Sequence, residues 1–427
     1  MRFISRVCQS PHFALALAAG GPLSLKILTA LMGLLFNYLA AQYLPADEFG
    51  VFSLAQVLLL LLVTVSKLGL ENTLVKLIAS AKAKKDEESV NSIYCLSLAL
   101  VILSTLIAVV LVIGLNQFIS FFIFQQATLL PLIPLIAAIL LPNVIIAMNA
   151  SMLNASRFPS LSLFFTGLLT LSLSCLLTII FTPHNAVGLL QLVCIAAYLA
   201  AVVSLIGCIF KTKIRWQFDL KPLDRIRASC LPLWTASIVA ILIQQFSTLV
   251  VARYVTLEQL GVYAVAIKIA TLMSFVLISV NAIAAPSFAA LFSTNKLNLL
   301  KQQVRHINQL LMVVAMAMFS VVYFSANWLM GLFGESFIQG AIYLKILAFG
   351  QMINVGTGSV VTLLVMTDNE KLHQRNILFI ALLTIVLAFS LIPTFGAIGA
   401  ALTTAIAMAV QNLVSYYFVR RKGLAKT

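Results

Sequence analysis

Asp47–Phe52 (DEFGVF) returns 211 residues later as Glu258–Tyr263 (EQLGVY), and Ala186–Gly188 (AVG) returns at the same offset as Ala397–Gly399 (AIG). Matches of glycine and alanine are common in apolar sequence, so either window alone says little. Two windows at one offset, more than a hundred residues apart, indicate a duplicated architecture. Each also stands in the same place in its half, just before the second and just before the sixth apolar run.

The runs set the fold class. Hydrophobic residues make up 62% of the 427 residues and charged residues 9%, where a soluble domain carries about 25% charged. No soluble fold could cover so much apolar surface, so lipid is the solvent. A spanning helix needs about 20 apolar residues. Runs of that length predict spans at 20–42, 49–79, 89–115, 129–153, 160–181, 187–210, 229–252, 262–292, 306–324, 341–366, 376–393 and 397–419. They are continuously apolar, without the alternation of barrel strands. The expected class is an all-α integral membrane protein of about twelve transmembrane helices in two parallel-repeat six-helix lobes. The stretch 116–128, with its FISFFIF, reads either as a short extra helix or as an outer-surface loop. Arg2 and Arg6 before Phe13–Ala19 imitate a signal peptide, but the apolar pattern continues past Lys26 to Ala41, as expected for an uncleaved first span.

The formal charge of +15 is a topology signal. Alternate inter-span segments hold 21 of the 27 lysines and arginines, among them Lys82, Lys84, Lys85, Arg157, Lys211 and Arg420. The opposite segments hold one, Arg253. This distribution predicts cytoplasmic termini in a bacterial inner membrane and an even number of spans. Anionic headgroups, not nucleic acid, are the expected counter-charge. The six cysteines lie in spans or on the cytoplasmic side, so no disulfide is expected. The four histidines lack metal-ligand spacing, and no cofactor is expected. Outer loops are short. The longest, 325–340, has Glu335 as its one charge. No nucleophile triad, paired carboxylate or phosphate-binding loop is visible, which argues for a transporter over an enzyme.

The predicted organisation is an N-terminal six-helix lobe at 1–210, a charged cytoplasmic linker at 211–227 and a C-terminal six-helix lobe at 228–427. Both lobes enter the membrane from the same side. Two such lobes around a central cleft suit alternating access.

Five bases fall within spans: Lys26, Lys67, Lys76, Lys268 and Lys345. One acid does, Glu71. A lysine at mid-membrane costs about 2.5–3.5 kcal/mol on insertion scales, so it must find a partner, a wet cavity or the headgroups. Lys26 shares a helix face with Ala30, Gly33 and Asn37, a small and polar wall. Lys268 stands six or seven residues into span 8, with Thr271 one turn on. Arg253 is at the outer end of span 7. Lys67 and Glu71, four apart, read first as a salt bridge; Glu71 is also the one candidate for ion coupling. Span amides, including Asn143, Asn149, Gln244, Gln245, Asn281, Gln351 and Asn354, could bond sugar hydroxyls or neighbouring helices. The net sign is positive, so a phosphate or pyrophosphate is the natural guest. One lysine about 4 Å from a phosphate oxygen gains about 4 kcal/mol at an effective dielectric of 20.

Four segments carry a family resemblance: DEFGVFSLAQ (47–56), LFGESF (332–337), MTDNEKLHQRN (366–376) and LIPTFGAIGAALTTAIA (391–407). In their order relative to the spans, the chain resembles the Wzx-type O-antigen flippases. These form part of the polysaccharide-export branch of the multidrug/oligosaccharidyl-lipid/polysaccharide (MOP) superfamily. The resemblance implies transfer of an undecaprenyl-pyrophosphate-linked oligosaccharide from the cytoplasmic to the periplasmic leaflet through a basic central cavity. It also implies contact with membrane lipids and, as partners, a polysaccharide polymerase and a chain-length regulator. Related lipid-linked precursor flippases use cations on spans 1, 2 and 8, which correspond by position to Lys26, Lys67 and Lys268. Flippases of peptidoglycan precursors carry two further C-terminal spans, which sets twelve spans apart from them. The competing readings are an ion-coupled drug or metabolite antiporter of the same fold and a scaffold of a glycan assembly complex.

Overall fold

The computed structural model describes residues 11–212, 214, 219 and 222–423. Arg2, Arg6, Cys8, Lys426 and the linker residues 213, 215–218, 220 and 221 lie outside them. The first half contains α1 (Pro11–Tyr43), α2 (Ala46–Ser66), α3 (Leu70–Ala83), α4 (Glu87–Gly114), α5 (Leu132–Ala155), α6 (Pro159–Leu163), α7 (Thr170–Phe181) and α8 (Ala186–Thr212). Then come α9 (Leu223–Tyr254), α10 (Leu257–Leu272), α11 (Ser274–Ser293), α12 (Leu297–Gly331), α13 (Ala341–Gly356), α14 (Val360–Met366) and α15 (Glu370–Arg421).

Eleven helical stretches among the described residues are long and apolar enough to cross a membrane. The last, Lys371–Arg421, has 51 residues, about twice what one crossing needs at 1.5 Å per residue. Gly396 breaks it, with φ 56° and ψ −130°. The chain is thus a multi-pass membrane protein of about twelve spans. Several spans are not single rods. Span 2 is interrupted between α2 and α3, where Leu68 and Gly69 are left-handed (φ 51° and 69°). Span 5 passes from α6 through a π-helical turn, Phe164–Leu169, into α7. Span 10 is interrupted between α13 and α14, at Gly358 (φ 77°). The FISFFIF stretch forms a π-helical turn, Phe118–Ile123, with Phe118 stacked on Phe122, followed by a 3-10 turn at Ala127–Leu129.

The repeat holds at the level of elements. Helix α2 starts at Ala46 and α10 at Leu257, 211 residues apart. Shifted by 211, α5 falls on α13 and α14, and both segments end in register at Ala155 and Met366. Helix α8 starts at Ala186, and its counterpart resumes at Ala397 after the kink. The two repeated windows meet in the first half. The Glu48 carboxylate accepts a 2.7 Å hydrogen bond from the Ala186 N–H, and Asn185 Oδ1 accepts one from Gly188 N–H at 2.7 Å. Together they satisfy the open donors of α8, where the helix dipole favours a negative group. DEFGVF and AVG are therefore conspicuous for a structural reason, at least in this half.

Packing divides the chain into two units, 24–245 and 246–427 together with 1–23. The division falls inside α9, between Gln245 and Phe246. In the first unit α5 is central, packed on α8, α4, α3 and α2. In the second, its counterpart α13 packs on α12, α15 and α10. Each unit buries an amide network. Asn149 on α5 accepts from Tyr94 OH on α4 at 2.5 Å and donates to Ser204 Oγ on α8 at 2.9 Å. In the second unit Asn376 donates to Ser415 Oγ at 2.8 Å, and Ser415 is Ser204 shifted by 211. Asn412 donates to Asn354 Oδ1 at 3.1 Å, and Asn354 to Gln351 Oε1 at 3.0 Å. These amides pin helix to helix. Replacing Asn149 with Ala takes away the acceptor of the buried Tyr94 hydroxyl, while Ser204 keeps its own bond to Ala201 O at 2.8 Å; a buried group deprived of its partner costs about 1–3 kcal/mol. The expected outcome is a clear drop in the thermal unfolding midpoint in detergent, whereas Gln244→Ala, at an exposed position, leaves it unchanged.

Candidate functional site

Lys26 is exposed on α1, beside exposed Ile27 and Leu28. The face it heads turns inward along the helix. Thr29 touches Gly167 of the π-helical turn, and the Cβ position of Gly33 lies 3.8 Å from Leu171 of α7. Asn37 is 5% exposed and donates to Gly33 O at 2.6 Å. Its Oδ1 is buried with no hydrogen-bond partner among the described residues. The small residues of this face thus serve contact with span 5, while Lys26 remains accessible at its end.

Lys67 and Glu71 form the ion pair expected from their spacing, Nζ to Oε2 2.7 Å, but they do so across a break. Lys67 ends α2, and Glu71 opens α3 in the first turn, where a carboxylate complements the helix dipole. The pair is 23% and 40% exposed. Between its members, the chain passes through left-handed Leu68 and Gly69. A Cβ on Gly69 would lie 2.6 Å from the Trp234 backbone nitrogen on α9 and 2.9 Å from Cys230 O. Trp234 Nε1 in turn donates to Val65 O at 2.9 Å, a carbonyl in the final turn of α2. The start of α9 therefore docks on the break in span 2 within the first unit.

Lys268 is exposed on α10, whose residues 260–266, 269 and 270 are buried. Thr271 donates to Ile267 O at 2.7 Å and lines a 40 Å³ cavity with Gln351 and Thr404. Arg253 is exposed in the last turn of α9, where a cation complements the carbonyl end of the helix. Of the expected site residues, Lys26, Asn37, Lys67 and Glu71 belong to the first unit, and Arg253 and Lys268 to the second. Lys67 and Glu71 are in direct contact. Of the span amides, Asn149, Gln351 and Asn354 are committed to the buried networks, and Asn143 donates to Ile139 O at 3.0 Å.

One basic cluster escaped the sequence reading, which took its members as topology signals. Lys82, Lys85 and Lys211 line a 530 Å³ pocket together with Asp86, Glu87 and Asn91. Lys82 donates to Ser156 Oγ at 2.6 Å, and burial holds its ammonium below the ordinary lysine value. Lys82 and Lys211 are far apart in sequence, and only the packing of α3 and α8 against α5 brings them together.

With this geometry in hand, the chain can be placed among known proteins. Residues 39–341 match the family described as polysaccharide biosynthesis protein, and the chain belongs to that family. Its fold is that of the MOP superfamily. A multidrug resistance MATE family transporter of that superfamily, in an inward-facing conformation, superposes with a TM-score of 0.72 at 14% identity, over 92% of this chain and 94% of that one. The lipid II flippase MurJ, in an inward closed conformation, gives 0.71 at 16% identity, over 93% and 86%. A MOP superfamily transporter from Pyrococcus furiosus, described as having a binding pocket of reverse polarity, gives 0.62 at 14% identity, over 97% and 96%. Comparison of the sequence with curated proteins finds no match.

The geometry of the break in span 2 makes a direct prediction. Gly69→Ala imposes both a left-handed backbone and a backbone collision, and it is expected to lower the unfolding midpoint more than Trp234→Phe. The latter removes one hydrogen bond, a net loss of about 1 kcal/mol. A double-mutant cycle on Lys67 and Glu71 should give a coupling of about 0.2–1 kcal/mol, as for a partly exposed pair.

Proposed function

We propose that this protein is a Wzx-type flippase. It moves an undecaprenyl-pyrophosphate-linked oligosaccharide, of the O-antigen or a related surface polysaccharide, from the cytoplasmic to the periplasmic leaflet of a bacterial inner membrane, with both termini cytoplasmic. The observation that carries the reading is the state of the span charges. Glu71, the one acid among them, is matched by Lys67, while Lys26 and Lys268 remain exposed on spanning helices. Pairing removes the negative charge and leaves the positive ones, which favours an anionic passenger over a cationic drug. Membership of a polysaccharide biosynthesis family supports a glycan cargo, and the fold it shares with MATE transporters and MurJ supports transport.

In this mechanism Lys26 and Lys268 draw the pyrophosphate out of water, the sugars follow, and the prenyl chain stays in lipid. Alternating access opens the way to either side of the membrane in turn. Release of Glu71 from Lys67 by protonation supplies a coupling step. A polysaccharide polymerase and a chain-length regulator are the proposed partners on the outer side.

The test is transport by purified protein in liposomes carrying the pyrophosphate-linked lipid, followed as the fraction reached by an external glycosidase. Lys26→Ala and Lys268→Ala should each slow transport by about tenfold or more, given the several kcal/mol that one close lysine contributes at a phosphate. Undiminished transport in the double variant would remove the basic path. Glu71→Gln should flatten the dependence of the rate on pH; an unchanged pH profile would take Glu71 out of the coupling.

A further inference from the structure

The second unit carries a groove that the transport mechanism does not use. It has a volume of about 480 Å³, within the range of lipid and small-molecule sites. Phe319 and Tyr323 of α12, Lys345 and Phe349 of α13, and Ala405 and Ala409 of α15 line it. Where α13 meets α15 beside it the contact is close, since a Cβ on Gly350 would lie 2.8 Å from Ala405 Cα. Aromatic rings build one wall: Phe319 lies 6.0 Å from Phe349 and 5.6 Å from Tyr323 between centroids. Lys345 is half-buried, with Nζ 4.9 Å from the centroid of Tyr323. It is the one charged residue among the lining.

An apolar trough suits a hydrocarbon chain. Its lysine asks for something else. The face of Tyr323 orients the ammonium and attracts it, but leaves its charge whole. Lys345 sits in the second turn of α13, toward the start of that helix. Charge counting then selects the occupant. One cation balances one phosphodiester. A pyrophosphate would carry more negative charge than this lining can answer, so the groove does not fit the proposed cargo.

We propose that this groove is a binding site for a resident anionic phospholipid, whose chain lies against Phe319, Phe349 and Ala409 and whose phosphate is held by Lys345. Tyr323 positions the lysine.

Native mass spectrometry of the full-length protein, titrated with phosphatidylglycerol or with phosphatidylcholine of the same chains, tests this. The wild type should retain one phosphatidylglycerol in preference to phosphatidylcholine by about fivefold, the scale of one lysine acting at a membrane surface. Lys345→Gln should abolish that preference, and Ala409→Phe, which fills the trough and leaves the lysine in place, should do the same. Lys296→Gln, at an exposed lysine outside the groove, should preserve it. Glycerol phosphate, the headgroup without a chain, should fail to compete. No preference in the wild type, full preference in Lys345→Gln, or competition by glycerol phosphate would overturn the proposal. The readout is independent of transport, so an inactive flippase that keeps the preference leaves it standing.

Discussion

Hydrocarbon offers no hydrogen-bonding partner, and most of this architecture follows from that. A continuous helix satisfies its own backbone, so helices dominate. Wherever a span is broken, the protein must supply what the missing turn would have supplied. At the break in span 2, Trp234 donates to Val65 O and Thr73 Oγ1 donates to Gly69 O. At the N-terminus of α8, Glu48 and Asn185 accept from open N–H groups. Several buried amides meet the same constraint. Asn149 is matched to hydroxyls of α4 and α8, Asn412 to the Asn354 amide on α13, and the Asn376 amide nitrogen to Ser415 across the kink of α15.

These bonds divide the labour between rigid and adaptable parts. The central helix of each unit, α5 or α13, is fastened to its neighbours by packing and by amide networks, which lets a unit hold together. Charges are arranged differently. Lys67 and Glu71 straddle a break and remain partly exposed. Lys26 and Lys268 are accessible, Lys26 among exposed apolar residues of α1 and Lys268 on a helix whose residues 260–266 are buried.

Much of the architecture was legible in the sequence because periodicity and offset are one-dimensional signals. The 211-residue shift of DEFGVF and AVG located matching helix starts at Ala46 and Leu257 and at Ala186 and Ala397. The i, i+4 spacing of Lys67 and Glu71 announced their ion pair. What stayed hidden depends on contacts between distant segments. The apolar run through LGLEN gives no sign of the left-handed turn at Leu68 and Gly69, since that turn is held by Trp234, more than 160 residues away. The same is true of the lysine pocket, where Lys82 and Lys211 meet only after helices pack. Gly33 and Asn37 illustrate the opposite hazard. A small, polar helix face reads equally as a cavity wall or as a surface for close helix packing, and here Gly33 faces Leu171.

The central claim is that charge on the passenger, answered by lysines on spanning helices, brings the cargo across. The measurement that addresses it most directly compares two cargoes in the same reconstituted protein: one oligosaccharide lipid with its pyrophosphate intact and one with the same glycan and chain joined through an uncharged linkage. The account predicts that external glycosidase gains access to the first well above protein-free liposomes and to the second no faster than in them. Equal transport of both, or transport of the uncharged lipid alone, would contradict it.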